Sequence, residues 1–135
     1  DYHFSKGGNI MNKPHILIVE DDVDTQRLMK VMLMKDYQLS CAETYFGAMH
    51  ILEDKNINLI LMDLSLKGEK DGLLLTSVIR KNKKYHKIPI IAVTAHALAT
   101  DKERALKAGC NDYLAKPFKK YQLVDIIKIY LPESN

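Results

Sequence analysis

The length and composition of the chain indicate one ordinary globular domain. It has 135 residues, 47% of them hydrophobic and 27% charged, which suffices for a buried core and is typical of folded soluble proteins. Its apolar runs fall short of the roughly 18 residues that a membrane span needs. The formal net charge of +3 is too small to indicate nucleic acid binding by itself. We therefore expect neither a membrane nor a nucleic acid as a direct partner.

Strand-like and helix-like segments alternate along the chain. Short runs rich in Ile, Leu and Val predict buried strands, and apolar residues at helical spacing predict helices. In chain order, the pattern predicts a strand at His15–Val19, a helix at 25–35, a strand at Gln38–Ala42, a helix from Thr44 to Leu52, a strand at Leu59–Met62, a helix at 73–81, a strand at 90–93, a helix at 100–108, a strand at Asp112–Ala115 and a helix at Lys120–Tyr130. Asp24 is expected to cap the first helix, and Gly109 to end the fourth in a left-handed conformation.

This alternation predicts an α/β fold with a doubly wound, five-stranded parallel sheet. Short connections favour an open, flavodoxin-like (βα)5 sheet of strand order 2-1-3-4-5 over a barrel, which needs eight units. We expect the folded domain at residues 13–132. Residues 1–12 are expected to be a disordered extension or an expression remnant, because Met11 resembles a natural start, and residues 133–135 a short tail.

The cysteines and one basic run offer no obvious chemistry. Cys41 and Cys110 lie far apart without metal-ligand spacing, so we expect reduced thiols in a cytoplasmic protein and no structural zinc. The basic run at residues 80–87 is interpreted as a solvated helix end and loop, with a docking patch as the alternative.

Acidic residues follow two of the predicted strands. Glu20 and Asp21 come after the first strand, and Asp63 comes after the third. In an open parallel sheet the ligand site lies beyond the carboxyl ends of the strands, so these carboxylates should meet there. Neighbouring carboxylates resist ionisation, and a hard divalent cation, Mg²⁺ or Mn²⁺, removes the conflict. Asp22 and Asp24 have the simpler role of negative charge at a helix N-terminus.

Asp63, Thr94 and Lys116 together suit phosphoryl transfer. A carboxylate such as Asp63 can attack phosphorus and form an acyl phosphate. Lys116, at the end of the fifth strand, can place a positive charge on a phosphate oxygen, and the Thr94 hydroxyl can donate a hydrogen bond to another. The residues therefore predict a metal-dependent phosphoryl site.

A resemblance to the receiver domain of bacterial two-component response regulators is carried by three segments, ILIVEDD, LILMDLSLKGEKDG and IIAVTAHALATDKERALKAGCNDYLAKPF. It covers about residues 13–131. The resemblance implies that Glu20 and Asp21 are the metal-binding pair, that Asp63 is the phosphoacceptor and that the backbone carbonyl of Ser65 completes the metal shell. It also implies Mg²⁺ or Mn²⁺ as cofactor, a histidine kinase or histidine phosphotransfer protein as partner, and a signalling switch rather than a turnover enzyme.

The same resemblance implies a switch in the second half of the chain. Thr94 and Lys116 match the switch hydroxyl and the phosphate-pairing lysine, and Tyr113 matches the aromatic that turns when Thr94 moves. The bond between Lys116 and Pro117 matches a cis peptide. The output face would be formed by the fourth helix, fifth strand and fifth helix. Its partner is unknown, and we expect a monomer or a weak, phosphorylation-dependent dimer.

The loop after Asp63 departs from the family pattern. The family often has Met-Pro-x-Met-Asp-Gly there, whereas residues 66–72 lack the proline and are one residue longer. Ser65 and His96 flank the phosphate site in this alignment, and we predict that they tune the lifetime of the phosphoryl group. The alternative for His96 is an exposed loop histidine.

Four alternatives remain open at this point. A haloacid-dehalogenase-like phosphatase would use Asp22 and Asp24, which form an acid-x-acid-Thr string with Thr25. An FMN carrier suits the fold, but its first loop should be rich in Ser, Thr and Gly. A receiver that is never phosphorylated would act only as a docking module. The domain could also be a stand-alone regulator or a piece of a larger protein such as a hybrid histidine kinase.

Overall fold

The computed structural model describes residues 13–66, 71–95 and 98–132, and in them five strands alternate with five helices. The strands are β1 (His15–Val19), β2 (Gln38–Ala42), β3 (Leu59–Met62), β4 (Ile90–Thr94) and β5 (Asp112–Ala115). The helices are α1 (Val23–Leu33), α2 (Tyr45–Asp54), α3 (Gly72–Lys81), α4 (Ala99–Ala108) and α5 (Lys120–Tyr130). Each predicted element is present, with its ends displaced by two residues at most. The predicted terminal segments, 1–12 and 133–135, lie outside the described residues.

The sheet is parallel throughout, in the order β2-β1-β3-β4-β5, which confirms the predicted fold class and strand order. The central strands β1 and β3 are neighbours, and Val19 pairs with Met62 at their carboxyl ends. At the end of the β4–β5 pair, Thr94 lies opposite Ala115. Because the strands share one direction, the residues that follow them converge on one edge of the sheet.

Helices cover both faces of the sheet and bury two separate cores. On one face, α2, α3 and α4 contribute Ala48, Leu52, Leu75, Ile79 and Ala105 against the sheet. On the other, α1 and α5 contribute Met29, Leu33, Leu123 and Ile127. The central strand β3 is apolar and buried along its whole length because both of its sides are covered. None of the helices in the described ranges is long and apolar enough to cross a membrane.

The start of α1 differs from the prediction. Asp22, and not Asp24, is the N-cap: its Oδ2 accepts hydrogen bonds from the Thr25 backbone N–H at 2.9 Å and from the Thr25 hydroxyl at 2.6 Å. Asp24 lies one residue inside the helix, with its side chain 92% exposed and 4.0 Å from Arg27. Residue type alone cannot decide between Asp22 and Asp24 as the cap, since both are aspartates. At the end of α4, Gly109 has the predicted left-handed conformation, with φ of 118°.

Candidate functional site

The carboxyl ends of β1 and β3 bring three carboxylates together. Glu20 and Asp63 are held in line with the sheet by their backbone N–H groups, which donate to Ala42 and Val19 carbonyls at 2.9 Å each. Carboxylate oxygens of Glu20, Asp21 and Asp63 all lie within 4.8 Å of one another. Residues 43 positions apart in the sequence thus form one acidic cluster at the edge predicted for it.

Lys116 is the cation in contact with this cluster. Its Nζ lies 2.6 Å from Glu20 Oε1 and 3.9 Å from Asp63 Oδ2. The Lys116 backbone N–H donates to the Thr94 carbonyl at 2.9 Å, so the end of β5 is aligned with the end of β4. The peptide bond between Lys116 and Pro117 is cis. In this state the ammonium group binds Glu20 more closely than it binds Asp63.

Burial sets the electrostatics of the site. The side chain of Glu20 is 1% exposed, and this burial raises the pKa of its carboxyl, with the Asp63 charge acting in the same direction. Hydrogen bonds from Lys116 and from the Asp22 backbone N–H, at 3.1 Å, oppose the rise without cancelling it. Burial therefore disfavours the ionised form of Glu20 even though Lys116 is in contact with it. A cluster of three carboxylates offers oxygen ligands, which suit a hard divalent cation such as Mg²⁺ or Mn²⁺.

Asp63 is itself buried. Its Oδ1 accepts a hydrogen bond from the Ser65 backbone N–H at 3.1 Å, while its Oδ2 faces Lys116. The first residue of α3, Gly72, approaches so closely that a Cβ there would lie 2.1 Å from the Asp63 carbonyl oxygen. The backbone around Asp63 is thus fixed by both the sheet and α3.

Thr94 and Tyr113 lie on the neighbouring strands β4 and β5. Thr94 is the last residue of β4 and is fully buried. Tyr113 lies on β5, opposite Ala92, and its hydroxyl is buried with no hydrogen-bond partner among the residues that the structure describes. Burial raises the pKa of the Tyr113 phenol, and the negative charge of Asp101 raises it further.

Some predicted site residues are outside this geometry. His96 and most of the atypical loop, residues 67–70, lie outside the described ranges. Ser65 is exposed beside Asp63 and contributes its backbone N–H to the Asp63 carboxylate. The structure therefore brings Glu20, Asp21, Asp63, Thr94 and Lys116 to one edge of the sheet.

Two supporting residues escaped the sequence analysis. Gln26 on α1 is buried, and its Nε2 donates to the Glu20 carbonyl oxygen at 2.5 Å, which connects the helix to the loop after β1. Gly72 allows α3 to approach the Asp63 backbone. A polar residue within the apolar face of α1 was a signal for the first. The sequence contains no signal for the role of Gly72, because glycine occurs in many different structural settings.

Asp22 and Asp24, the two acids that a phosphatase would use, have other roles in the structure. The Asp22 carboxylate caps α1 through Thr25, and the Asp24 side chain points into solvent. Neither belongs to the cluster of three carboxylates. The geometry therefore places Asp63, and neither Asp22 nor Asp24, in the acidic cluster.

Comparison with known proteins agrees with this geometry. The family model described as the response regulator receiver domain matches residues 16–128. The chain is 31% identical over 120 residues to the polar-differentiation response regulator DivK of Brucella ovis, which covers 88% of this chain and 97% of the relative.

Two solved structures share the fold and contain a metal ion. The receiver domain of sensor histidine kinase PA1611 from Pseudomonas aeruginosa PAO1, with magnesium in its active-site cleft, is 37% identical, has a TM-score of 0.81, and is matched over 90% of this chain and 99% of that one. The Mn²⁺-bound response regulator Rcp1 is 27% identical, has a TM-score of 0.74, and is matched over 90% and 96%. The chain belongs to the response regulator receiver domain family.

Proposed function

We propose that Asp63 accepts a phosphoryl group in a Mg²⁺-dependent transfer from a histidine kinase or a histidine phosphotransfer protein. Receiver domains of this kind are phosphorylated by histidine kinases. The observation that supports the proposal most directly is the cluster of Glu20, Asp21 and Asp63 with Lys116 against it. Asp63 is the member whose two carboxylate oxygens face the Ser65 backbone N–H and Lys116.

The metal would be held by Glu20, Asp21 and Asp63, with the Ser65 carbonyl as a further ligand. When bound, it would neutralise negative charge on the carboxylates and the incoming phosphoryl group. Mg²⁺ in the PA1611 receiver and Mn²⁺ in Rcp1 support this assignment by similarity. Either ion satisfies the all-oxygen ligand set.

The transfer itself needs little beyond positioning. An oxygen of Asp63 forms the new bond to phosphorus while the bond from phosphorus to the donor histidine nitrogen breaks. The Ser65 backbone N–H holds Asp63 Oδ1 in place. Lys116 Nζ, 3.9 Å from Asp63 Oδ2, is close enough to transfer its hydrogen bond from Glu20 to a phosphoryl oxygen.

Phosphorylation would then act as a switch, and the protein would work by changing state rather than by turnover. The added charge and acceptor oxygens attract the Thr94 hydroxyl and the Lys116 ammonium group. Tyr113, whose hydroxyl is buried close to α4, would respond to the shift of Thr94. The face made by α4, β5 and α5 would thereby be remodelled for an output partner. Phosphoryl lifetime would be tuned by Ser65 and His96.

The same proposal includes a cytoplasmic location and a monomer or weak, phosphorylation-dependent dimer. Free thiols at Cys41 and Cys110 are consistent with a reducing compartment. Neither nucleic acid nor a membrane is proposed as a direct partner.

The test is the intact mass of the protein after incubation with a small phosphodonor and Mg²⁺. We expect a gain of one phosphoryl group that chelation of the metal prevents. Asp63→Asn should show no gain, whereas the matched control Asp22→Asn should retain it. A gain that persists in Asp63→Asn, or is lost in Asp22→Asn with the fold intact, would contradict the proposal and favour the phosphatase alternative.

A further inference from the structure

Helix α4 is weakly held at its N-terminal end. Its N-cap is Leu98, which has no polar side-chain atom to cap the helix and is 70% exposed. Each of the helices α1, α2 and α3 has a side-chain cap, from Asp22, Thr44 and Asp71. Of the ten described residues of α4, only Ala105, in its second half, is buried. Little packing or capping therefore stabilises the first turns.

The C-terminal end of α4 is held by backbone geometry. Gly109 adopts the left-handed conformation, and the N–H groups of Gly109 and Cys110 donate to the carbonyls of Leu106 and Ala105 at 3.1 and 3.0 Å. This arrangement satisfies carbonyl groups that a helix end otherwise leaves unpaired. Cys110 is buried just beyond it.

Arg80, at the C-terminal end of α3, attaches this helix end to the rest of the domain. Its Nε donates to the Gly109 carbonyl at 2.7 Å, and its Nη2 donates to Asn111 Oδ1 at 2.7 Å. Its Nη1 donates to the carbonyls of His86 and Ile88 at 3.0 and 2.8 Å. One guanidinium group thus joins the end of α4, the loop to β5 and the turn before β4. The prediction of a solvated basic run is wrong for this residue, although Lys81, Lys83, Lys84 and Lys87 are exposed.

The contact is specific for arginine next to glycine. A planar guanidinium group offers donors in several fixed directions, whereas a lysine ammonium group is a single point of charge. A Cβ at position 109 would lie 2.5 Å from Arg80 Cγ, so the bare Gly109 backbone is what lets the arginine stem pass. Asn111 Oδ1 also accepts from the Ile90 N–H at 2.8 Å, which extends the contact to the first residue of β4.

The weakly held end of α4 is the end that lies near Asp63. Asp101, in its first turn, is 19% exposed and pairs with Arg104 at a distance of 3.8 Å. Asp101 and Arg104 line one cleft together with Leu64, Ser65 and Leu66, the residues that follow Asp63 in the chain. A rearrangement around Asp63 therefore reaches the first turns of α4, while the other end of the helix is attached to Arg80.

We propose that Arg80 is a positioning residue for the switch: it holds the C-terminal end of α4 still, so that the rearrangement after phosphorylation of Asp63 is confined to residues 98–104. The inference rests on the proposed function, since it needs a phosphorylated state. It predicts a hinged change in one half of the helix instead of a displacement of the whole helix.

Hydrogen–deuterium exchange of the full chain tests this, with and without a small phosphodonor and Mg²⁺. In the wild type, phosphorylation should change exchange in peptides covering 98–104 by about threefold or more, and in those covering 105–111 by less than about twofold. In Arg80→Gln, exchange at 105–111 should rise about tenfold without phosphodonor, because charge-assisted hydrogen bonds are lost. Phosphorylation should then affect both halves of α4. Lys81→Gln, an exposed neighbour, should behave like the wild type.

Arg80→Lys provides the test if Arg80→Gln unfolds, because it keeps the charge and the stem beside Gly109 but not the planar donors. Equal responses of the two halves of α4 in the phosphorylated wild type would overturn the inference. Unchanged exchange at 105–111 in a folded Arg80 variant would do the same. Intact mass of each sample reports phosphorylation separately: a protein that gains no phosphoryl group refutes the proposed function, while basal exchange still tests the contacts of Arg80.

Discussion

Gly72→Ala should destabilise the protein even though it replaces a helical glycine. The added Cβ would lie 2.1 Å from the Asp63 carbonyl oxygen and 2.8 Å from Leu64 Cα, both of which are backbone atoms. Relief requires α3 to retreat by about 1 Å, yet the helix is anchored by the fully buried Leu75 and Ile79. The retreat would also strain the hydrogen bond from the Gly72 N–H to the Leu64 carbonyl, at 3.2 Å.

The expected change in the free energy of unfolding follows from two opposed effects. Alanine is favoured over glycine in a helix by about 1 kcal/mol. Overpacking destabilises a protein by about 1–3 kcal/mol, and the cost lies at the upper end of this range where only backbone atoms could move aside. We therefore expect the free energy of unfolding to fall by about 2 kcal/mol, which lowers the urea midpoint by about 1 M. The proposed phosphorylation of Asp63 should also slow, because the Asp63 backbone is displaced.

Gly47→Ala is the matched control. Gly47 lies in α2, where a Cβ would meet the Thr44 hydroxyl oxygen at 3.1 Å and Ala42 Cβ at 3.6 Å, so side chains rather than backbone must adjust. Its urea midpoint should stay at or slightly above that of the wild type. If Gly72→Ala proves as stable as Gly47→Ala, the close approach of α3 to Asp63 is not a constraint, and the reasoning fails.

Two further outcomes concern metal and pH. Mg²⁺ at about one hundred times its dissociation constant should raise the free energy of unfolding by about 2.7 kcal/mol. The Asp21→Asn variant should lose most of this stabilisation in urea titrations. If Mg²⁺ stabilises Asp21→Asn as much as the wild type, Asp21 is not a ligand. Burial, followed by the charge of Lys55, lowers the pKa of His15, whose ring nitrogen lies 2.7 Å from the Ser40 hydroxyl. The folded state therefore takes up a proton less readily than the unfolded state, and stability is lost as pH falls below about 6.5. His15→Gln should reduce the loss of stability between pH 7 and pH 5, whereas the exposed His50→Gln should not; identical pH dependence in both variants would count against a role for His15.

Local patterns were sufficient to predict most of the fold. Apolar runs such as Leu59–Met62 are short because a strand crosses the core once, and both faces of the sheet are buried. Gly109 was predicted to end α4 because the left-handed conformation favours glycine. The strand order followed from the alternation of strands and helices with short connections, and the acids after β1 and β3 then had to meet at the same edge.

Details within the site could not be predicted from those patterns. Asp22 and Asp24 are equivalent as candidate caps until the backbone of the turn decides between them. Lys116 was assigned to a phosphate oxygen from its charge and its place at the end of the fifth strand, whereas in the structure it binds Glu20 at 2.6 Å. The difference arises because a buried carboxylate requires a partner whether or not a phosphoryl group is present.

The residue pattern was enough to predict the kind and order of the elements and the edge where the carboxylates gather. These depend on periodicity, turn chemistry and the common direction of parallel strands, which are local or topological properties. Two contacts became visible only in the folded chain: Lys116 pairs with Glu20, 96 residues away, and Arg80 binds the Gly109 carbonyl, 29 residues away. Such contacts depend on distances of a few ångströms between remote segments, and those distances exist only once the two cores have packed.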